Sequence, residues 1–176
     1  MPAGINRKLD MRGLVLQVAG IEEKPTASAN KTILAGTTKT LLNSDSGAYV
    51  QLDQLAGSTV TLPAGATTSL PNGAQIGTKF TFNVSVVPTS NNHIVKVANA
   101  NDIFMGVVET IDTSTGALAP FGTAAASDTI TLNRSTTGGV RTGETFTLEY
   151  VGTNRWLISG LLVINGVAVT PFSATV

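Results

Sequence analysis

The chain has 176 residues, 42% of them hydrophobic and only 12% charged, with eleven basic and eleven acidic side chains. Its length suits one domain with an appendage, and zero net charge gives no electrostatic pull toward nucleic acid. Without cysteine there is no disulfide framework or thiolate metal site, and one histidine rules out a histidine metal cluster.

Residues 1–38 differ from the rest of the chain. Met1 to Arg12 has no clear period, Leu14-Val15-Leu16-Gln17-Val18 reads as a short strand, and Glu22 to Asn30 is polar with Pro25 inside it. The run Gly13 to Val18 is too short for a secretory signal or a membrane span, and Glu22-Glu23 follow it. Six basic against three acidic residues give positions 1–39 a charge of +3, and five against eight give the rest −3. The stretch is read as an extended N-terminal arm, with a β domain over 39–176.

From Lys39 onward short strand-like runs follow one another: 39–43, 48–53, 58–62, 78–87, 93–98, 102–109, 128–133, 144–151, 155–160 and 161–170. Breakers such as Asn43-Ser44-Asp45-Ser46-Gly47, Pro71-Asn72-Gly73 and Gly138-Gly139 separate them. Thr78 to Val86 alternates strictly, with Phe80, Phe82, Val84 and Val86 on one face and Thr81, Asn83 and Ser85 on the other. Glu144 to Val151 repeats the pattern, and Gly152-Thr153-Asn154-Arg155 turns it into Trp156-Leu157-Ile158-Ser159. Phe80, Phe82, Val84, Phe146, Leu148, Trp156 and Ile158 are the expected core. The fold class is all-β: an antiparallel β-sandwich or jelly-roll-like barrel.

Two segments look different. Residues 110–127 read as a long loop containing Leu118 and Phe121, which either tuck into the chain's own core or meet a neighbouring subunit. Leu161 to Ile164, Asn165-Gly166 and Val167 to Thr170 read as a hairpin, because Asn-Gly suits a type I′ turn. That hairpin is apolar on both faces, so it is either central in the sandwich or covered by another copy. Leu118, Phe121, Leu162, Ile164, Val167 and Val169 are therefore the candidate oligomer contacts.

Catalytic chemistry has little to work with. His93 precedes Ile94-Val95-Lys96-Val97 and reads as a surface or strand-end residue. Glu144 and Glu149 fall on opposite faces by parity, and no Asp-x-Asp-x-Asp-Gly calcium loop occurs. Gly73 to Lys79 lacks the Gly-Lys-Ser/Thr ending of a phosphate loop. No enzyme activity, cofactor or metal is expected.

Three pieces carry a resemblance: Gly57-Ser58-Thr59-Val60-Thr61-Leu62-Pro63; Gly77 to Val84 followed by Pro88 to Val95; and Gly143 to Leu148 with Gly152 to Trp156. In this order they resemble the β-rich structural proteins of tailed bacteriophages, most of all the head decoration, or capsid cement, proteins. The resemblance spans roughly residues 40–170. It implies a virion protein made in the host cytoplasm that sits on the capsid exterior, binds the major capsid protein and forms a homotrimer, without nucleic acid or membrane as partner. A receptor-binding or tail-fibre/baseplate β-module of a phage is the alternative role. On the decoration reading the arm supplies contacts, with Arg7, Lys8, Arg12, Leu14, Val15, Leu16 and Val18 assigned to the shell.

Overall fold

Alternating burial builds two sheets. The structure is a computed structural model that describes residues 31–65 and 73–176. Its strands are β1 (Thr32–Leu34), β2 (Thr38–Thr40), β3 (Tyr49–Leu52), β4 (Thr59–Thr61), β5 (Lys79–Val84), β6 (His93–Lys96), β7 (Ile103–Asp112), β8 (Leu118–Gly122), β9 (Thr129–Leu132), β10 (Thr145–Gly152), β11 (Arg155–Ile164) and β12 (Phe172–Ser173). Seven form one sheet in the order β1-β3-β5-β10-β11-β7-β8, and five form the other, β12-β9-β6-β4-β2. The all-β, two-sheet architecture is the expected one, although the sheets are mixed rather than antiparallel throughout.

The mixing has a simple origin. From β1 to β6 the chain alternates between the sheets, odd strands in one and even strands in the other. Each strand pairs in parallel with the one two steps earlier, as in Ile33↔Val50↔Phe82 and Thr38↔Thr59↔Ile94. The first half is thus wound as three stacked coils. β9 to β12 then add antiparallel strands to both sheets, while β7 docks in parallel on β11.

Side chains from both inner faces meet in one core. Phe80, Phe82, Val84, Phe146, Leu148, Trp156 and Ile158 are all buried there, as their alternation requires. Phe82 stacks on Phe146 with centroids 5.0 Å apart, and Trp156 lies between Phe80 at 6.1 Å and Tyr150 at 5.3 Å. The β10–β11 turn places Thr153 and Asn154 at φ 52° and 58°. Two adjacent positive φ values are what a type I′ turn needs.

Three expectations change. The hairpin over 161–170 does not form: β11 runs unbroken from Arg155 to Ile164, and residues 167–170 have no strand partner. β7 pairs with one edge of β11 through Ile164, and on the other edge β10 ends opposite Leu161, where the Glu144 carboxylate accepts the Val163 N–H. The segment 110–127 is largely a second hairpin rather than a loop, with β8 paired to β7 from Val107↔Gly122 to Ile111↔Leu118. Asp112 closes its turn by accepting the Ser114 N–H at 2.9 Å and the Thr115 hydroxyl at 2.8 Å. Finally, the sheet begins at Thr32, inside the stretch read as arm, where β1 pairs with β3 and buries Ile33. The arm residues Arg7, Lys8, Arg12, Leu14, Val15, Leu16 and Val18 lie outside the described residues.

Candidate interaction surface

The outer face of the seven-stranded sheet is divided in two. On β5 and β10 the outward positions are Lys79, Thr81, Asn83, Thr145, Thr147 and Glu149, the ordinary polar side of a half-buried sheet. Lys79 and Glu149 pair there at 3.6 Å. On β11, β7 and β8 the outward positions turn apolar. Leu157 stands beside Met105, Val163 beside Ile111, and Ile111 beside Leu118. Val107 is 48% exposed, Leu161 47%, Leu157 41%, Met105 37% and Leu118 66%. An apolar sheet face of this kind is a candidate interaction site, because large contiguous apolar patches are uncommon on monomers.

One charge stands at the end of the patch and one inside it, Glu109 falling between Val107 and Ile111. Arg155 opens β11 beside Ile103, and Glu109 lies beside Leu161 and Pro120. Both are exposed. Ile103 and Glu109 are six positions apart on β7, about 20 Å at the ~3.3 Å rise of a strand. Neither forms an ion pair among the described residues.

The expected oligomer contacts therefore separate. Leu118 belongs to the patch. Phe121, on the inward parity of β8, packs half-buried against the core. Leu162 and Ile164 are buried inside the chain's own sandwich, because the parity of β11 sends its even positions inward with Trp156 and Ile158. Val167 and Val169 are exposed beyond the end of β11, where the Val169 N–H donates to the Thr136 carbonyl at 3.0 Å. Met105, Val107, Leu157 and Leu161 were not among the sequence candidates. Their signal was present: 103–108 and 156–163 are apolar at both parities, whereas 145–149 is polar at every second position.

The buried polar groups hold loops. His93 sits fully buried at the head of β6, not at the surface, and burial pushes its imidazole below 6.5. Nδ1 accepts the Ser58 N–H at 3.0 Å and Nε2 faces the Val86 carbonyl at 2.8 Å, which fixes the neutral ring with its proton on Nε2. Glu144 accepts the N–H groups of Gly139 at 2.8 Å and Arg141 at 2.7 Å, and burial raises its carboxyl above the usual range. Asp102 is raised for the same reason and accepts from Gly65 N–H at 2.8 Å and from Asn99 at 3.0 Å. Asp112, held by its hydrogen bonds from Ser114 and Thr115, stays at about 2. Asp45 pairs with Lys31 and accepts the Leu42 N–H.

No group of three or more His, Asp or Glu side chains among the described residues is arranged to hold a metal ion. An open recess of about 400 Å³ beside Thr37, Gly57, Thr59, Asn91 and Asn92 has no titratable side chain in its wall. No helix among the described residues is long and apolar enough to cross a membrane. No protein-family model matches the chain, and neither a curated protein nor a solved structure does.

Proposed function

We propose that the chain is a virion structural protein of a tailed bacteriophage, bound to the outside of the capsid, where it contacts the major capsid protein and braces the shell. The observation that carries this reading is the apolar half of the outer sheet face. It provides a broad contact for protein, on a domain whose buried carboxylates are engaged in anchoring loops. The sequence resemblance supplies the capsid: its three pieces fall on β4, on β5 with the approach to β6, and on the β10–β11 hairpin. Residues 1–30, with four basic and three acidic side chains and the apolar run Leu14 to Val18, precede β1 in the sequence, and Arg7, Lys8, Arg12, Leu14, Val15, Leu16 and Val18 are assigned to the shell. Apolar burial would dominate such an attachment, because exposed ion pairs contribute only ~0–1 kcal/mol each.

Purified protein is added to capsids that lack it, and bound particles are imaged with gold-labelled antibody. Labelled heads with raised resistance to heat are expected. Label confined to tails would transfer the protein to a receptor-binding or baseplate role, and particles without label would remove the reading.

A further inference from the structure

We propose that Asn165 is the site of a spontaneous covalent modification. Its side-chain amide is lost through a cyclic imide formed with Gly166, and the segment over residues 165–170 comes loose from the sandwich.

The chemistry needs a free amide, a free backbone nitrogen and room for them to meet. Asn165 and Gly166 lie just beyond β11 and are both exposed. The main chain of Asn165 is engaged: its N–H donates to the Ser135 carbonyl at 2.9 Å, and its carbonyl accepts the Ser135 hydroxyl at 3.4 Å. Its side-chain amide has no hydrogen-bond partner among the described residues. The Gly166 N–H reaches Asp112 Oδ1 at 3.5 Å, longer than the ~2.7–3.2 Å of an ordinary N–H···O bond. Gly166 has φ 103°, and nothing lies within 4 Å of an added Cβ. No side chain therefore obstructs the approach of its nitrogen.

The other asparagines lack this combination. Among the described residues Asn165 alone precedes a glycine. Asn133 accepts the N–H groups of Ser135 and Thr137 and donates to the Thr136 hydroxyl. Asn99 is held by Asp102 and Asn101, and Asn43 accepts the Thr78 hydroxyl. Asn72-Gly73 repeats the pair, with Asn72 outside the described residues.

The reaction needs only water. The Gly166 nitrogen bonds to Asn165 Cγ, the Cγ–Nδ2 bond breaks, and the Gly166 proton leaves with the amide as ammonia. Water then opens the ring. Attack at Cγ gives aspartate. Attack at the Asn165 backbone carbonyl gives isoaspartate, whose main chain runs through Cβ and Cγ and is one methylene longer.

The fold turns this change into a local release. Residues 165–170 are pinned twice to one loop, by the Asn165 N–H on Ser135 and the Val169 N–H on Thr136 at 3.0 Å. A main chain lengthened between the two pins no longer fits both. Either product also adds a negative charge beside Asp112, whose carboxyl is held at about 2 and stays ionised. β11 lies upstream of the change and keeps its pairs with β7.

This site does not depend on what the protein binds, and its test uses the full chain alone. Folded protein and protein in guanidinium chloride are held side by side in mildly alkaline buffer, then digested and mapped by mass spectrometry. The peptide containing Asn165 should gain the mass of an amide converted to an acid, as two products. In the folded protein this should be slower than in the denatured chain by less than about tenfold, since local opening is not required. Peptides containing Asn43, Asn99 and Asn133 should keep their mass while the protein is folded. Asn165→Ser should abolish the gain. Hydrogen exchange on the converted protein should be faster at Val169 and unchanged over β10. Protection of Asn165 beyond tenfold by folding would overturn the proposal. So would equal conversion of Asn43, Asn99 and Asn133 in the folded protein, a gain that survives Asn165→Ser, or unaltered exchange at Val169.

Discussion

Replacing Gly160 by alanine sets two physical effects against each other. Gly160 lies on the inward parity of β11, directly across from Phe146 on β10. Its φ is not in the left-handed region, so by chain entropy alone Gly160→Ala should stabilise by ~0.4–1 kcal/mol. Packing demands the opposite. A Cβ at 160 would sit 2.4 Å from Phe146 Cβ, 2.6 Å from Phe146 Cα and 2.7 Å from the Thr145 carbonyl oxygen. Ordinary carbon contacts are ~3.5–4.0 Å. All three atoms are backbone or next to it, so no rotamer change relieves them. β10 and β11 would have to part by about 1 Å, straining the Phe82–Phe146 stack that this position makes room for. Overpacking of this kind costs ~1–3 kcal/mol or more. Packing wins, and the net loss lowers Tm by roughly 2–4 °C per kcal/mol for a chain of this size. Trp156 is the sole tryptophan and fully buried, so its fluorescence follows unfolding directly. Gly122→Ala is the control, since nothing lies within 4 Å of its added Cβ. A Gly160→Ala protein with unchanged or higher Tm would refute the contact geometry between β10 and β11.

Trp156→Ala removes the largest side chain of the core and should cost ~3–5 kcal/mol of the ~5–15 available to a domain. A urea midpoint close to wild type would contradict its burial between Phe80 and Tyr150. Thr153→Asn should gain ~0.5–1 kcal/mol in a thermal melt, because a β-branched residue at φ 52° is strained and asparagine tolerates that conformation; a lower Tm would count against the type I′ turn. Stability should also fall with acid through His93. The unfolded chain takes up a proton near 6.5, whereas the buried ring resists it, so the His93 contribution is complete above pH 6.5 and declines below it. Urea midpoints of wild type and His93→Gln should converge as pH drops from neutral toward 5; parallel curves would show that His93 does not titrate differently on folding.

Alternation made the central strands readable. Phe80, Phe82, Val84, Phe146 and Leu148 could be placed inward from sequence because period 2 admits one buried face. The same rule misled at 161–170, since an Asn-Gly turn signal is local and cannot register that β7 occupies the edge a return strand would need. β7 arrives from fifty residues upstream, and nothing in the sequence of either strand specifies that parallel partner. The three coils were also hidden. Their trace is a faint repeat, Thr38-Lys39-Thr40-Leu41 against Thr59-Val60-Thr61-Leu62, which lie in register on β2 and β4. The apolar surface required pairing knowledge as well. Met105 and Leu157 each look like an isolated exposed residue until the register sets them side by side.

The winding of the first half governs what happens while the chain leaves the ribosome. β3, β4, β5 and β6 each emerge to find a partner already made, so this half can assemble vectorially as it is synthesised. β7 has no such advantage on its inner edge. Ile103 pairs with Arg155, 52 positions later, and at ~5–20 residues per second that edge stays open for roughly 3–10 s. During this interval Ile103 to Val108 presents unpaired backbone flanked by apolar side chains, the combination most prone to joining other nascent chains. Cooler growth slows synthesis and prolongs the wait even as it weakens hydrophobic association. The second edge of β5 waits longer still, since Phe82 pairs with Phe146, and chains cut short before Thr145 are expected to leave both edges open.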